Sequence, residues 1–122
     1  MTNLSRHRVD QHQIIDETIS EGDLLAAAAA RSEPAVRELI RRNNPRLFRV
    51  ARGIVATDAE AEDVVQETYL AAFRRLDSFR GTSAFSTWIT RIAINTALMQ
   101  LRRVRTHGFQ RKVMIHLVKT EQ

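Results

Sequence analysis

The segment that decides the fold runs from Asp58 to Arg103: DAEAEDVVQETYLAAFRRLDSFRGTSAFSTWITRIAINTALMQLRR. Its apolar residues recur at helical spacing on both sides of a short loop that contains Gly81. The pattern predicts an acidic amphipathic helix, a loop with aromatic residues, and a second helix that begins aromatic and ends basic. Carboxylates suit a protein partner, whereas aromatic and guanidinium groups suit nucleic acid.

The composition favours a single helical domain. A chain of 122 residues is long enough for one hydrophobic core, and two prolines and four glycines are few for a turn-rich β fold. The absence of cysteine excludes disulfides, thiolate metal sites and cysteine nucleophiles. The formal charge of +5 favours an anionic partner. Because the start is polar and no stretch approaches the roughly 18 apolar residues of a membrane span, we expect a soluble cytoplasmic protein.

The acidic helix begins at a capping-box pattern, Thr57-x-x-Glu60, and is predicted to run to about Leu76. Its apolar stripe predicts the buried face: Val64, Val65, Thr68, Tyr69, Ala72, Phe73 and Leu76. The residues outside this stripe are Glu62, Asp63, Gln66, Glu67, Leu70 and Arg74. They form either a surface for a protein partner or an ordinary solvated face beside a favourable helix dipole.

The loop and the second helix carry the groups suited to nucleic acid. Phe79 and Phe85 flank Arg80 and could stack on an unpaired base, or both could close the core beneath the loop. In the helix, predicted to end near Arg105, the side chains sharing one face are Trp88, Arg91, Asn95 and Arg102. An asparagine can pair with an adenine edge and an arginine can hold phosphate or guanine. Trp88 could equally be a core anchor, and the three cations Arg102, Arg103 and Arg105 complement the helix dipole in any case.

The remaining chain divides into a leader, two supporting helices and a tail. Residues 1–20 are predicted to be a flexible leader, or a short amphipathic turn built on Ile14, Ile15 and Ile19 that docks on a partner. The helical domain is predicted to span residues 21–105. Residues 106–122 could form a strand, a short helix or a truncated connector.

The sequence gives no reason to expect an enzyme. The four histidines lie near the ends of the chain without the spacing of metal ligands, and no nucleophile and base are paired. We therefore expect no catalytic residues, no metal and no cofactor.

The segment AEDVVQETYLAAFRRLDSFRG-x-SAFSTWITRIAINTA resembles region 2 of bacterial sigma factors of the extracytoplasmic-function (ECF) group. The resemblance extends from about Asp23 to Arg105 and implies an all-α fold, a compact helical domain of about four helices. It also implies binding to core RNA polymerase and recognition and melting of the promoter −10 element. An anti-sigma factor is a further partner that the family commonly has.

Carried over to this chain, the resemblance implies two sets of site residues. The residues matching the helix that docks on the clamp helices of the polymerase are Asp63, Gln66, Glu67, Leu70 and Arg74. The loop residues matching the pocket for an extruded non-template base are Phe79, Arg80, Gly81, Thr82 and Ser83. Trp88, Arg91 and Asn95 match the helix that recognises the melted element, and Arg102, Arg103 and Arg105 should contact phosphates.

The chain departs from the family in two places. Ser32-Glu33-Pro34 replaces the more usual Gly-Asp between the first two helices, and nothing in the sequence encodes the usual second, helix-turn-helix domain (region 4). The alternative function is a sigma-like interaction module that acts mainly through an anti-sigma factor and does not recognise promoters.

Overall fold

The computed structural model describes residues 14–79, 81 and 83–120, without the side chains of 107–109, 111–112 and 120. The elements, in order, are α1 (Glu21–Ala29), α2 (Glu33–Arg52), α3 (Asp58–Arg74), a 3₁₀ turn (Leu76–Ser78) and α4 (Phe85–Thr120). No strand occurs among these described residues. The prediction of an all-α domain with about four helices is confirmed.

A hydroxyl group caps the start of each of the first three helices. The Ser20 side chain accepts a hydrogen bond from the backbone N–H of Asp23, and Ser32 caps α2 in the same way. Thr57 Oγ1 accepts from Glu60 N at 3.1 Å, as the capping-box pattern predicted. These bonds satisfy backbone donors that have no partner inside the helix, which is why the helices begin where they do.

Helix α3 packs against both α2 and α4, and α2 also contacts α1 and α4. The buried stripe predicted for α3 faces this core, since Val64, Thr68 and Ala72 are fully buried. Other large side chains with almost no exposed surface are Leu24, Leu39, Leu47, Phe85 and Ile89. The core therefore forms where the four apolar helix stripes meet.

Three hydrogen bonds, made by two polar side chains, fix the position of α3 relative to its neighbours. The Tyr69 hydroxyl lies 3.1 Å from the Ile40 carbonyl oxygen and 3.2 Å from Asn44 Oδ1, both on α2. Burial raises the pKa of Tyr69 to about 12. Gln100 Nε2 of α4 donates to the Glu60 carbonyl oxygen at 3.2 Å. These contacts set the register in which the exposed faces of α3 and α4 stand side by side.

The segment before α1 packs against the domain, which differs from the flexible leader expected through Ser20. Ile19 is buried, and Arg42 donates to the Asp16 and Ile19 carbonyl oxygens at 3.1 and 2.9 Å. Arg42 is itself held by Glu38, which also accepts two hydrogen bonds from Arg41. These bonds from Arg41 and Arg42 lower the pKa of the Glu38 carboxyl to about 2. Ile19 and, in part, Ile15 thus dock on the chain's own core, whereas Ile14 is exposed. Residues 1–13 of the predicted leader lie outside the described residues.

The sequence predicted that helix α4 ends near Arg105. In the structure the helix continues to Thr120. At 36 residues it is about 54 Å long. No proline interrupts it, and the single glycine, Gly108, weakens a helix by only about 1 kcal/mol relative to alanine. Residues 113–118 are apolar except for His116 and show no helical periodicity, and for that reason the sequence left strand, helix and connector open.

Candidate functional site

The acidic helix α3 presents one exposed face opposite its buried stripe. Asp63, Gln66, Glu67, Leu70 and Arg74 are all exposed there. Leu70 keeps 57% of its surface accessible although it lies in the middle of a well-packed domain. The structure therefore brings together the five residues that the resemblance assigned to polymerase binding, and their role stays a prediction.

A groove of about 1020 Å³ runs beside this face, between α3 and the turn that joins α1 to α2. Its apolar floor includes Val36, Ile40 and Phe73, and Gln66, Leu70 and Arg74 line it as well. Sequence reasoning missed the α2 side of this groove, because Val36 and Ile40 belong to the same apolar stripe as core residues. The run of alanines at the end of α1 was the available signal, since small side chains leave open space between helices.

Three aromatic rings meet where the loop joins α4. The Phe79 ring lies edge-on to Phe85 with centroids 5.7 Å apart, and it lies 5.1 Å from the Trp88 ring. Phe85 is fully buried and closes the core, whereas Phe79 and Trp88 are half-buried. The sequence left open whether Phe85 stacks on a base or closes the core, and its burial shows that it closes the core. Phe79 and Trp88 both pack inward and keep an accessible side that could meet a planar ligand.

The loop conformation depends on Gly81, whose φ is +71°. A Cβ atom at this position would meet nothing within 4 Å, so the requirement for glycine comes from the backbone angle and not from space. Ser83 is half-buried and Gly81 is exposed. Arg80 and Thr82, the other two loop residues assigned to base capture, lie outside the described residues.

The exposed face of α4 carries polar groups that have no internal partners. Arg91, Asn95 and Arg102 are exposed, and none of their side chains forms a hydrogen bond or ion pair within the described part of the chain. Trp88 lies on the same face, one turn before Arg91. An amide and a guanidinium that are free of internal bonds can form new ones without breaking old ones.

One ion pair connects the two exposed faces. Arg103 Nη2 of α4 lies 3.8 Å from Glu67 Oε2 of α3, and both side chains are about half exposed. Arg105 is exposed beyond them. The predicted phosphate contacts and the predicted polymerase contacts are therefore neighbours in space. The sequence alone could not show this, because it does not give the register of two helices.

The described ranges contain neither a cluster of metal ligands nor a helix that could span a membrane. His, Asp and Glu side chains there form no group of three that could hold a metal ion. None of the helices in this part of the chain combines the length and the hydropathy that crossing a bilayer requires.

Known proteins resemble this chain in sequence and in fold. The model of the Sigma-70 region 2 family matches residues 39–106, more than half of the chain. The ECF RNA polymerase sigma factor SigM of Mycobacterium tuberculosis (strain H37Rv) is 40% identical over 88 residues, which are 72% of this chain and 45% of that protein. The ECF RNA polymerase sigma-E factor of Escherichia coli (strain K12) is 39% identical over 87 residues, 70% of this chain and 39% of that protein.

A solved structure agrees with this similarity. It is the NMR structure of an engineered region 2 of sigmaE in complex with GTAAAA, with a TM-score of 0.65 and 32% sequence identity over 72% of this chain and 92% of that chain. The present chain spans less than half the length of SigM and of the sigma-E factor. The sequence, the helical fold and these similarities together show that the chain belongs to the sigma-70 region 2 family, in the ECF group of sigma factors.

Proposed function

We propose that this chain acts as region 2 of an ECF RNA polymerase sigma factor. In this role it binds core RNA polymerase in the cytoplasm, recognises the promoter −10 element and melts it, without being an enzyme. The observation that carries the proposal is the face of α4, where Trp88 stands beside Arg91 and Asn95. The two polar side chains have no partners within the described residues.

The physical basis of melting is preferential binding of the open state. Extruding a base from a duplex costs a few kcal/mol, and stacking on an aromatic ring returns about 1–3 kcal/mol per base. Hydrogen bonds from Asn95 or Arg91 to a base edge add to this and discriminate between bases. Phe79 and Trp88, half-buried and in mutual contact, form a rigid aromatic wall for such a base. No chemical catalyst is needed for this function.

The structure also supports separate regions for the two proposed contacts with the nucleic acid. The described loop residues Phe79, Gly81 and Ser83 and the start of α4 lie at one end of this face, and Arg102 and Arg105 lie further along α4. We assign the first group to the non-template single strand and the second, with Arg103, to backbone phosphates. The modest net charge suits a protein that gains affinity from base stacking as well as from phosphates.

The exposed face of α3 is the proposed docking surface for the clamp helices of core polymerase. Leu70 supplies an accessible apolar anchor, and the carboxylates of Asp63 and Glu67 lie on the same exposed face, about two turns and one turn before it. The groove beside Leu70 offers a concave apolar surface, which is the shape that receives an amphipathic helix. A buried apolar centre inside a charged rim is the usual anatomy of a specific protein interface.

An anti-sigma factor is a further proposed partner for the same surfaces. It would compete with polymerase for the α3 face, because a surface that is apolar at its centre can bind more than one helix. In the alternative function, this interaction would be the main one and promoter recognition would be lost. The free side chains of Arg91 and Asn95 favour the promoter-binding role.

The proposal can be tested by the binding of fluorescently labelled oligonucleotides. The first probe contains GTAAAA, the sequence bound by the engineered sigmaE region 2, and further probes come from selection in a random single-stranded pool. We expect preference for one single-stranded motif over its duplex, with a loss of about 5- to 100-fold for Asn95→Ala, as for a lost base-edge pair.

Gln110→Ala, at another exposed polar position of α4, serves as the control and should bind like the original chain. Equal binding of every strand, with a steep salt dependence and no effect of Asn95→Ala, would leave only a basic surface. In that case the anti-sigma alternative would become the better account.

A further inference from the structure

Arg31 has a backbone conformation that arginine rarely adopts. Its φ is 68°, and it is the one non-glycine residue with a positive φ among the described residues. The Arg31 N–H donates to the Ala28 carbonyl oxygen and the Ser32 N–H donates to the Ala27 carbonyl oxygen, each at 3.0 Å. This pair of bonds is the Schellman motif that ends α1, and its left-handed position normally holds glycine. An arginine is therefore the less stable choice at this position.

The same residue lines the groove beside the α3 face. Its side chain is exposed and makes no ion pair with any described residue. Arg74, on the opposite wall, also makes none, whereas the nearby acid Glu33 is already paired with Arg37. The groove thus has an apolar floor with unpaired guanidinium groups on two of its walls, and its lining also includes the carboxylate of Asp77, which makes no ion pair with a described residue.

The positive φ of Arg31 and its place beside the groove both indicate that this side chain serves binding. Glycine would stabilise the turn better than arginine does, so the fold gives no structural reason for the side chain. The groove gives a functional reason, because a guanidinium at the edge of an apolar surface can pair with a carboxylate of an incoming helix. Neither Glu33 nor Asp77, the two acids that line the groove, forms an ion pair with Arg31, so its guanidinium stays available to a partner.

We propose that Arg31 is a recognition residue for core RNA polymerase. It pairs with a carboxylate on the amphipathic polymerase helix whose apolar side enters the groove next to Leu70. This inference rests on the proposed function, because it extends the docking surface of α3 across the groove to the turn between α1 and α2. The occupant that fits is a helix with an apolar stripe and an acidic residue at its edge.

Two substitutions separate the conformational effect of Arg31 from its binding effect. Arg31→Ala removes the cation and keeps a side chain at the left-handed position, whereas Arg31→Gly removes both the cation and the strain. In thermal unfolding monitored by circular dichroism, we expect Arg31→Gly to raise Tm by about 2–5 °C above Arg31→Ala. An equal Tm for the two variants would overturn the claim that the position favours glycine.

Binding of core RNA polymerase is then measured for both variants. We expect both to lose affinity by about three- to tenfold, as for a charge pair at an interface edge. The difference from the original chain should shrink when salt is raised from about 0.05 to 0.5 M, because exposed charges are screened. Arg46→Ala serves as the control. Arg46 is an exposed arginine on α2 that does not line the groove, and its replacement should leave the affinity for polymerase unchanged.

The Leu70→Ala variant distinguishes failure of this inference from failure of the proposed function. If Leu70→Ala weakens polymerase binding but neither Arg31 variant does, Arg31 is not a recognition residue and the docking face stands. If none of the three variants weakens binding, polymerase does not use this surface, and both proposals are wrong. If the Arg31 variants weaken binding equally at all salt concentrations, the partner of Arg31 is not a carboxylate.

Discussion

Leu70 gives the sharpest test of the α3 docking face, because its contribution to binding can be estimated from its exposure. Full burial of a leucine side chain is worth about 1.5–3 kcal/mol. In the free domain 57% of the Leu70 surface is still accessible, so burial of that fraction by a partner should contribute about 0.9–1.7 kcal/mol. Leu70→Ala should therefore weaken binding of core RNA polymerase by about 5- to 20-fold.

The same substitution should have little effect on the fold. Since Leu70 is mostly exposed, we expect its replacement by alanine to change the free energy of unfolding by no more than about 0.5 kcal/mol. Affinity is measured by titrating labelled chain with core polymerase, and stability by urea unfolding of the same samples. The matched control is Met99→Ala, since Met99 is 55% exposed on α4 and lies outside the docking face.

Two results would show that Leu70 does not contact the polymerase. If both Leu70→Ala and Met99→Ala leave the affinity for polymerase unchanged, the α3 face is a solvated surface. If Leu70→Ala lowers affinity only as far as it lowers stability, the side chain acts through the fold and not through contact.

Further predictions concern the parts of the fold that support the two faces. The pKa of Glu38 is lowered from its usual 4.5 to about 2, so its contribution to stability should be full above pH 4.5 and be lost as the pH falls toward 2. Glu38→Gln should accordingly lower Tm at pH 7, and circular dichroism should show the difference disappearing near pH 2. Leu47→Ala should reduce the urea-derived free energy of unfolding by about 2–5 kcal/mol, since Leu47 is fully buried; a loss below 1 kcal/mol would contradict that packing. A double-mutant cycle on Glu67 and Arg103 should give a coupling below about 1 kcal/mol, because both groups are half exposed and 3.8 Å apart; a larger value would mean that the pair organises the interface.

The sequence predicted the central helices well because their signals are local. The apolar stripe of α3 and the capping pattern at Thr57 depend only on residues within a few positions of each other, and both match the structure. The positions outside that stripe were expected to be exposed, and Asp63, Gln66, Glu67, Leu70 and Arg74 are exposed. The aromatic residues were ambiguous because a phenylalanine near a loop serves a core and a stacking site equally well. Only packing shows that Phe85 is buried and Phe79 half accessible.

Some features that the sequence did not predict depend on contacts between distant segments. Another depends on the lack of a residue that would end helix α4. Docking of Ile19 requires the hydrogen bonds of Arg42, which lies 23 residues away. The length of α4 was underestimated because residues 113–118, which are apolar except for His116, have no clear period, and such a run leaves helix and strand equally plausible. The positive φ of Arg31 was hidden because the residue type itself argues against that conformation.

In the proposed function, this chain and core polymerase together open promoter DNA through the exposed face of α4. The most direct measurement is the fluorescence of 2-aminopurine placed within a selected motif in duplex DNA, since the fluorescence rises when the base leaves the stack. We expect a rise that requires both the chain and core polymerase and that is lost with Asn95→Ala. A rise that Asn95→Ala does not change, or no rise when the chain and polymerase are bound to each other and to the DNA, would mean that the face of α4 does not open the promoter.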